Sequence, residues 1–373
     1  MIDWEGLARP SLRGIDRYDP GPSRDSLRDR HGLETLDPLH WNEDLFGPPD
    51  YVLEAAVESI AKANFYPERA FADFRAALAR WLDVPVECVI PAHGAQALIT
   101  SIASVFIGAG TPVVVPRLTY GLYAQVSAAA GAVVTRVDPA GLALDLDAIA
   151  AAAGEVDARL VWICDPNNPT GTLIAPDRWE RFLASLPAHT IVVADEAYID
   201  FADPALRTRR ERDVLAGRPV IIVRSFSKIY GLAGLRLGYA IADPAVARLL
   251  DVVQEPFNVN RVALAAGIAT LSRPAFVDER RAEVAASRAV LERELAAHGI
   301  RVVPSQGNFS LVELGADDGP VCAAVLARGV LVRPGSDFGM PGYARITTAP
   351  AGTMREAARV LADVLAATTT NQE

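Results

Sequence analysis

Lysine is nearly missing from this 373-residue chain: of its 36 basic residues only Lys62 and Lys228 are lysines. Wherever positive charge alone is wanted arginine serves as well, but a guanidinium neither deprotonates in a protein nor condenses with a carbonyl. A lysine kept against that preference is a candidate for use as an amine. Cysteine is scarce too. Cys88, Cys164 and Cys322 are odd in number and lack paired spacing, which argues against a disulfide framework or a zinc site and fits a reduced, cytosolic setting. The five histidines are scattered, so no metal site is expected. Long hydrophobic runs are absent: nothing approaches the roughly 20 residues of a membrane span. The stretch Met1–Arg13 has no continuous apolar core of a secretory signal, so cytoplasmic location is expected. Basic charge is not in surplus. The formal net charge of −10 argues against broad contact with nucleic acid or an anionic membrane, and any bound anion must be held locally.

What is present is apolar and α/β in pattern. At 51% hydrophobic residues the chain can bury a large core, and its length makes two domains the default. Residues 1 to 40, rich in Pro, Gly, Arg and Asp, read as an arm that packs on something larger. Between 41 and 256, runs such as T-P-V-V-V-P, A-R-L-V-W-I-C-D, T-I-V-V-A-D-E-A-Y and R-P-V-I-I-V-R-S-F alternate with alanine-rich helical stretches. Continuous Val and Ile runs separated by helices predict strands buried on both faces, hence a doubly wound, mainly parallel sheet in an α/β domain. The alternation stops near Pro256. A long amphipathic helix is predicted from Val277 to His298, with Val284, Leu291 and Leu295 at helical spacing and Gly299 as its stop. Short strands interleaved with helix follow, making 257–373 a smaller α+β domain.

Ligands of such sheets sit at the carboxyl ends of the strands. Those ends read D-P-N-N-P-T-G (165–171), D-E-A-Y (195–198) and S-F-S-K (225–228). Taken singly, the first is equally an ordinary turn, the second a helix-capping carboxylate, and the third an exposed charge. Together they bring an amide, an acid, a phenol and an amine to one edge. The chemistry that uses all four is Schiff-base catalysis with pyridoxal phosphate: Lys228 condenses with the cofactor aldehyde while Asp195 keeps the ring nitrogen protonated. Asn168 and Tyr198 would bond the ring hydroxyl, and Tyr120 would stack on the ring or, alternatively, serve as a core tyrosine. The cofactor's phosphate needs local donors. H-G-A-Q-A-L-I-T-S-I (93–102) is a glycine turn opening an apolar helix, so the N–H groups of Gly94, Ala95 and Gln96 would face an anion. Ser225, Ser227 and Arg236 complete that grip.

Other site chemistries lack their motifs. The glycines at 231, 234 and 238 have the wrong spacing for a dinucleotide fingerprint, and neither a Walker A lysine nor a G-x-S-x-G elbow occurs.

S-F-S-K-I-Y-G-L-A-G-L-R-L-G-Y, D-P-N-N-P-T-G, V-A-D-E-A-Y and E-P-F-N-V-N-R resemble the class I/II aminotransferases of the fold type I pyridoxal phosphate family, nearest to its histidinol-phosphate branch. The likeness runs in order along nearly the whole chain. It implies a homodimer with the active site at the subunit interface, in which Tyr66 reaches the neighbouring subunit's cofactor phosphate. It also implies that Arg345 binds the substrate's acidic group, that Tyr18 and Arg333 hold a substrate phosphate, and that a 2-oxo acid accepts the amino group. One departure touches the substrate-facing segment, which reads N-E-D-L-F-G at 42–47 where the family usually has N-E-N-P-Y-G. An aromatic amino acid aminotransferase, a threonine-phosphate decarboxylase and a non-catalytic cofactor binder remain alternatives.

Overall fold

A computed structural model describes residues 1–16, 21 and 23–370. Among them the strands, numbered along the chain, are β1 (Asp37–Leu39), β2 (Val89–Ala92), β3 (Pro112–Pro116), β4 (Val133–Val137), β5 (Leu160–Cys164) and β6 (Ile191–Asp195). They continue with β7 (Val220–Ser225), β8 (Gly238–Ile241), β9 (Val302–Val303), β10 (Phe309–Glu313), β11 (Val330–Pro334) and β12 (Tyr343–Thr347). Seven form one sheet in the order β2-β8-β7-β6-β5-β3-β4. Its pairings are parallel except for those of β8, which runs against both β2 and β7. The expected doubly wound, mainly parallel sheet is therefore present.

Why these runs are continuous rather than alternating is visible in their packing. On β5, Val161 and Ile163 face one core while Leu160, Trp162 and Cys164 face the other. β7 divides in the same way, Val220 and Ile222 from Ile221 and Val223. With helices on both faces, neighbouring positions along the body of a strand are both apolar, since side chains alternate between two cores.

The second sheet has the order β1-β11-β12-β10-β9, antiparallel except for the parallel pairing of β1 with β11. Strand β1 comes from the amino-terminal segment, which also touches the larger sheet's layers through Ser11 Oγ, a donor to the Ala129 carbonyl. The long helix spans Ala275–Ala296, close to its predicted range, and Gly299 takes the left-handed conformation (φ 72°) that closes it. Its first half carries Val277 and Val284 into the core of the large sheet. Its second half carries Leu291 and Leu295 into the core of the small one. The helix Arg261–Leu271 packs on the helices Asp50–Ile60 and Ala72–Leu82. Lys62 lies in the exposed turn just beyond Ile60, solvated and away from the strand ends. Among the described residues no helix is long and apolar enough to cross a membrane.

Candidate active site

Parallel strands deliver their carboxyl ends to one edge, and there a cavity of about 690 Å³ opens. Its walls include Ala95, Gln96, Tyr120, Asn168, Asp195, Tyr198, Ser225, Ser227, Lys228, Arg236, Arg333 and Arg345. These positions span 250 residues of sequence, yet β5, β6 and β7 alone supply six of them within or just beyond their last residues.

Lys228 follows β7 in a turn anchored by the buried side chains of Phe226, Ile229 and Leu232. Its Nζ donates to the main-chain carbonyls of Trp41 (3.2 Å) and Asn42 (2.9 Å). Burial, with the like charges of Arg345 and Arg236, lowers this amine from 10.5 to about 8, against the pull of Glu43 and Asp195. With that value about one amine in ten is neutral at pH 7, against roughly three in ten thousand for an ordinary lysine.

Asp195 ends β6 with its carboxylate buried. Oδ2 accepts from the Tyr123 hydroxyl at 2.7 Å and Oδ1 from the Ala197 N–H at 3.0 Å. Burial raises this carboxyl above the ordinary carboxylate range even though both donors favour its charged form. Tyr123 is itself clamped, its ring stacked on Trp162 at 5.2 Å. A buried acid held in one orientation is suited to bond a protonated ring nitrogen.

The opposite end of the cavity is a cradle for an anion. The helix Gly94–Phe106 has no side-chain cap at its amino terminus, leaving its first N–H groups available. Gly94 has φ 80°, and a Cβ there would lie 2.7 Å from Arg236 Nη2. Glycine is required on both counts. Arg236 reaches the Ser227 hydroxyl at 3.5 Å, and the Ser227 N–H donates to Ser225 Oγ at 3.0 Å. Donors at one end and a buried acid near a partly neutral amine fit pyridoxal phosphate: Gly94, Ala95, Ser225, Ser227 and Arg236 toward its phosphate, Asp195 toward its ring nitrogen.

Arg345, on β12, is buried against the large sheet and donates to Asn168 Oδ1 and to the His40 carbonyl, both at 2.6 Å. Tyr198 accepts from Asn42 Nδ2 at 3.2 Å, and burial raises its phenol. Tyr120 accepts from Gln96 Nε2 at 2.8 Å. Gln96 thus meets the cavity through its side chain as well as its place in the first helical turn. Arg333 pairs with Asp337 at 2.5 Å at the cavity wall.

Tyr66 is 78% exposed, stacked on Phe257 and outside this cavity. Tyr18 lies outside the described residues. Sequence reasoning also missed groups. Tyr123 escaped it, though it stands three residues beyond Tyr120. Asn42 escaped it too: this buried residue (φ 55°) bonds Lys228, Tyr198 and Thr347. Its only signal was membership of the unusual 42–47 segment.

Fold and cavity together define an α/β enzyme built around one reactive lysine. The chain belongs to the family described as aminotransferase class I and II, whose model matches residues 38–364. It is similar to the histidinol-phosphate aminotransferase of Symbiobacterium thermophilum, 36% identical over 340 residues that cover 91% of this chain and 93% of that one. Histidinol-phosphate aminotransferase 2 of Pseudomonas aeruginosa is likewise 36% identical, over 350 residues that cover 93% and 94% of the two chains. Among solved structures, histidinol-phosphate aminotransferase from Sinorhizobium meliloti in complex with pyridoxal-5'-phosphate superposes with a TM-score of 0.87 at 30% identity, covering 96% of this chain and 97% of that one. Family membership makes this chain a pyridoxal phosphate-dependent transaminase that uses an amino donor and a 2-oxo acid.

Proposed function

We propose that the amino donor is histidinol phosphate and the acceptor 2-oxoglutarate, which places the enzyme in histidine biosynthesis. The observation that carries the chemistry is a partly neutral amine, Lys228 Nζ, in one cavity with the buried Asp195 carboxylate and an uncapped helix terminus. Relatives covering nine-tenths of the chain support the donor. Bound pyridoxal phosphate supplies an aldehyde for covalent attachment and a ring that withdraws electrons from the substrate carbon. The protein does the rest. Lys228 is its anchoring amine, and once released Nζ takes and returns the proton at the substrate carbon, work suited to a group titrating near 8. Asn168 and Tyr198 orient the ring hydroxyl, Tyr120 covers the ring, the Gln96 N–H faces the cofactor phosphate, and Arg345 receives the acidic group of the 2-oxo acid. Arg333 and Tyr18 receive the donor's phosphate.

In the same reading the enzyme is a cytoplasmic homodimer. Three free, buried cysteines support a reducing compartment. Tyr66 would serve the neighbour's cofactor phosphate, a role supported by its exposure beside Phe65 and outside its own cavity. The chain divides into an arm (1–40), a large cofactor-binding domain (41–256) and a small domain (257–373). Strand β1 and the helix Arg261–Leu271 then act as straps across those boundaries.

The test is a donor screen on the purified holoenzyme with 2-oxoglutarate, following cofactor absorbance through the first half-reaction. Histidinol phosphate is expected to turn over fastest. Preference for phenylalanine would reassign it as an aromatic aminotransferase, and carbon dioxide release from threonine phosphate would make it a decarboxylase. Borohydride treatment should fix cofactor to Lys228, and Lys228→Ala should lose both the label and turnover.

A further inference from the structure

A second cavity, of about 510 Å³, shares none of the residues that line the first. It lies between the turn Ile199–Phe201, the segment from Pro204 to Glu211 and the start of the long helix. Five arginines line it, Arg80, Arg207, Arg209, Arg224 and Arg281, against three carboxylates, Asp200, Glu211 and Asp278. Glu196 behind the wall also pairs with Arg224, at 2.6 Å, and shares Arg210 with Asp165, which leaves a local surplus of one positive charge in a protein whose net charge is −10. The carboxylates are already engaged. Asp278 pairs with Arg281 at 2.6 Å, Glu211 with Arg224 at 2.7 Å, and Asp200 accepts from Tyr230 at 3.1 Å while standing 3.5 Å from Arg207.

Arg80 and Arg209 make no ion pair among the described residues. Thr208 is nine-tenths buried on the cavity wall, and its hydroxyl has no hydrogen-bond partner. A buried hydroxyl left this way costs free energy that a ligand oxygen would recover. Burial also lowers the Arg207 guanidinium from its ordinary value, and the like charges of Arg281 and Arg224 add to that against the pull of Asp200. An anion in the cavity would relieve this repulsion.

We propose that this cavity is a binding site for a small tetrahedral dianion of the phosphate class, held by Arg80, Arg207 and Arg209 with the Thr208 hydroxyl. Guanidinium forks and a hydroxyl are donors matched to several acceptor oxygens on one centre, and the two guanidiniums without an ion pair, Arg80 and Arg209, offset the charge of a dianion. The cavity joins the long helix to the large sheet, so occupancy stabilises the folded chain by mass action.

The test titrates the holoenzyme, its cofactor-phosphate cradle filled, with inorganic phosphate in a calorimeter at constant ionic strength. An Arg80→Ala/Arg209→Ala double variant and Thr208→Val run beside it. Wild type is expected to show saturable binding and a phosphate-dependent rise in Tm. The double variant should lose about tenfold or more in affinity and Thr208→Val several-fold, with turnover in phosphate-free buffer unchanged in both. Glycerol 3-phosphate in a parallel arm separates an ester from the free ion, and tighter binding of either supports the site and names its source. Two results overturn the proposal: phosphate binding unaltered in both variants, which would put the anion in the catalytic cavity, or no wild-type signal beyond sodium chloride at the same ionic strength.

Discussion

Lys228 shows how one residue's surroundings set its chemistry. Its turn is packed by Phe226, Ile229 and Leu232, and its amine loses hydration while two main-chain carbonyls accept from it. The resulting fall from 10.5 to about 8 has a consequence for the cofactor-free protein. Between those values the unfolded chain binds more protons than the folded one, so this residue's contribution to stability rises with pH across the window. Wild type should therefore gain on Lys228→Met between pH 8 and 10, read as the difference of their urea midpoints. A difference that stays constant with pH would show the amine is not perturbed. The lysine itself was legible from composition, because a chain that otherwise chooses arginine kept it beside a glycine-rich turn. Its two acceptors were not legible: Trp41 and Asn42 lie nearly 190 residues away and act through carbonyls, which every residue type possesses.

Among elements, the strand ends that carry the site are tied together beneath it. Arg210 is fully buried and pairs with Asp165, just past β5, at 2.6 Å and with Glu196, just past β6, at 2.7 Å. Glu196 in turn accepts from Arg224 of β7 at 2.6 Å. Each carboxylate is one to three residues from a site group, Asn168 or Asp195. Arg210→Met should leave two buried carboxylates short of their partner and destabilise the protein by about 3–5 kcal/mol in urea unfolding. A loss below 1 kcal/mol would mean the pairs contribute little. A second joint is steric. Strand β8 begins at Gly238, where a Cβ would sit 2.6 Å from the Ala95 nitrogen and 2.7 Å from the Gly94 carbonyl carbon. Gly238→Ala should push the helix Gly94–Phe106 off the sheet, costing about 1–3 kcal/mol and weakening cofactor binding by a larger factor than it slows turnover at saturating cofactor. Equilibrium dialysis against pyridoxal phosphate measures it. Wild-type affinity in that variant would show that the contact relaxes without moving the cradle.

For the whole molecule, the exposed Tyr66 matters most. If it completes a neighbour's site, Tyr66→Ala and Lys228→Ala homodimers are each impaired for a different reason. Mixing and reassociating them should restore activity toward about a quarter of wild type, since a hybrid dimer carries one intact site and about half of random pairs are hybrids. No recovery, with hybrids verified by mass spectrometry, would confine each site to one subunit.

The sequence by itself determined the doubly wound sheet, because strands buried on both faces carry neighbouring apolar residues along their body, and it located the groups at their carboxyl ends, since each adjoins a readable strand. It also placed the long helix to within two residues at each end. Only the tertiary structure decided what those groups touch. Asn42 beneath Lys228, Tyr123 on Asp195, Arg210 between two strand ends and the arginine-lined second cavity all join segments distant along the chain. Local periodicity reports which face of an element is buried and is silent on which distant element covers it.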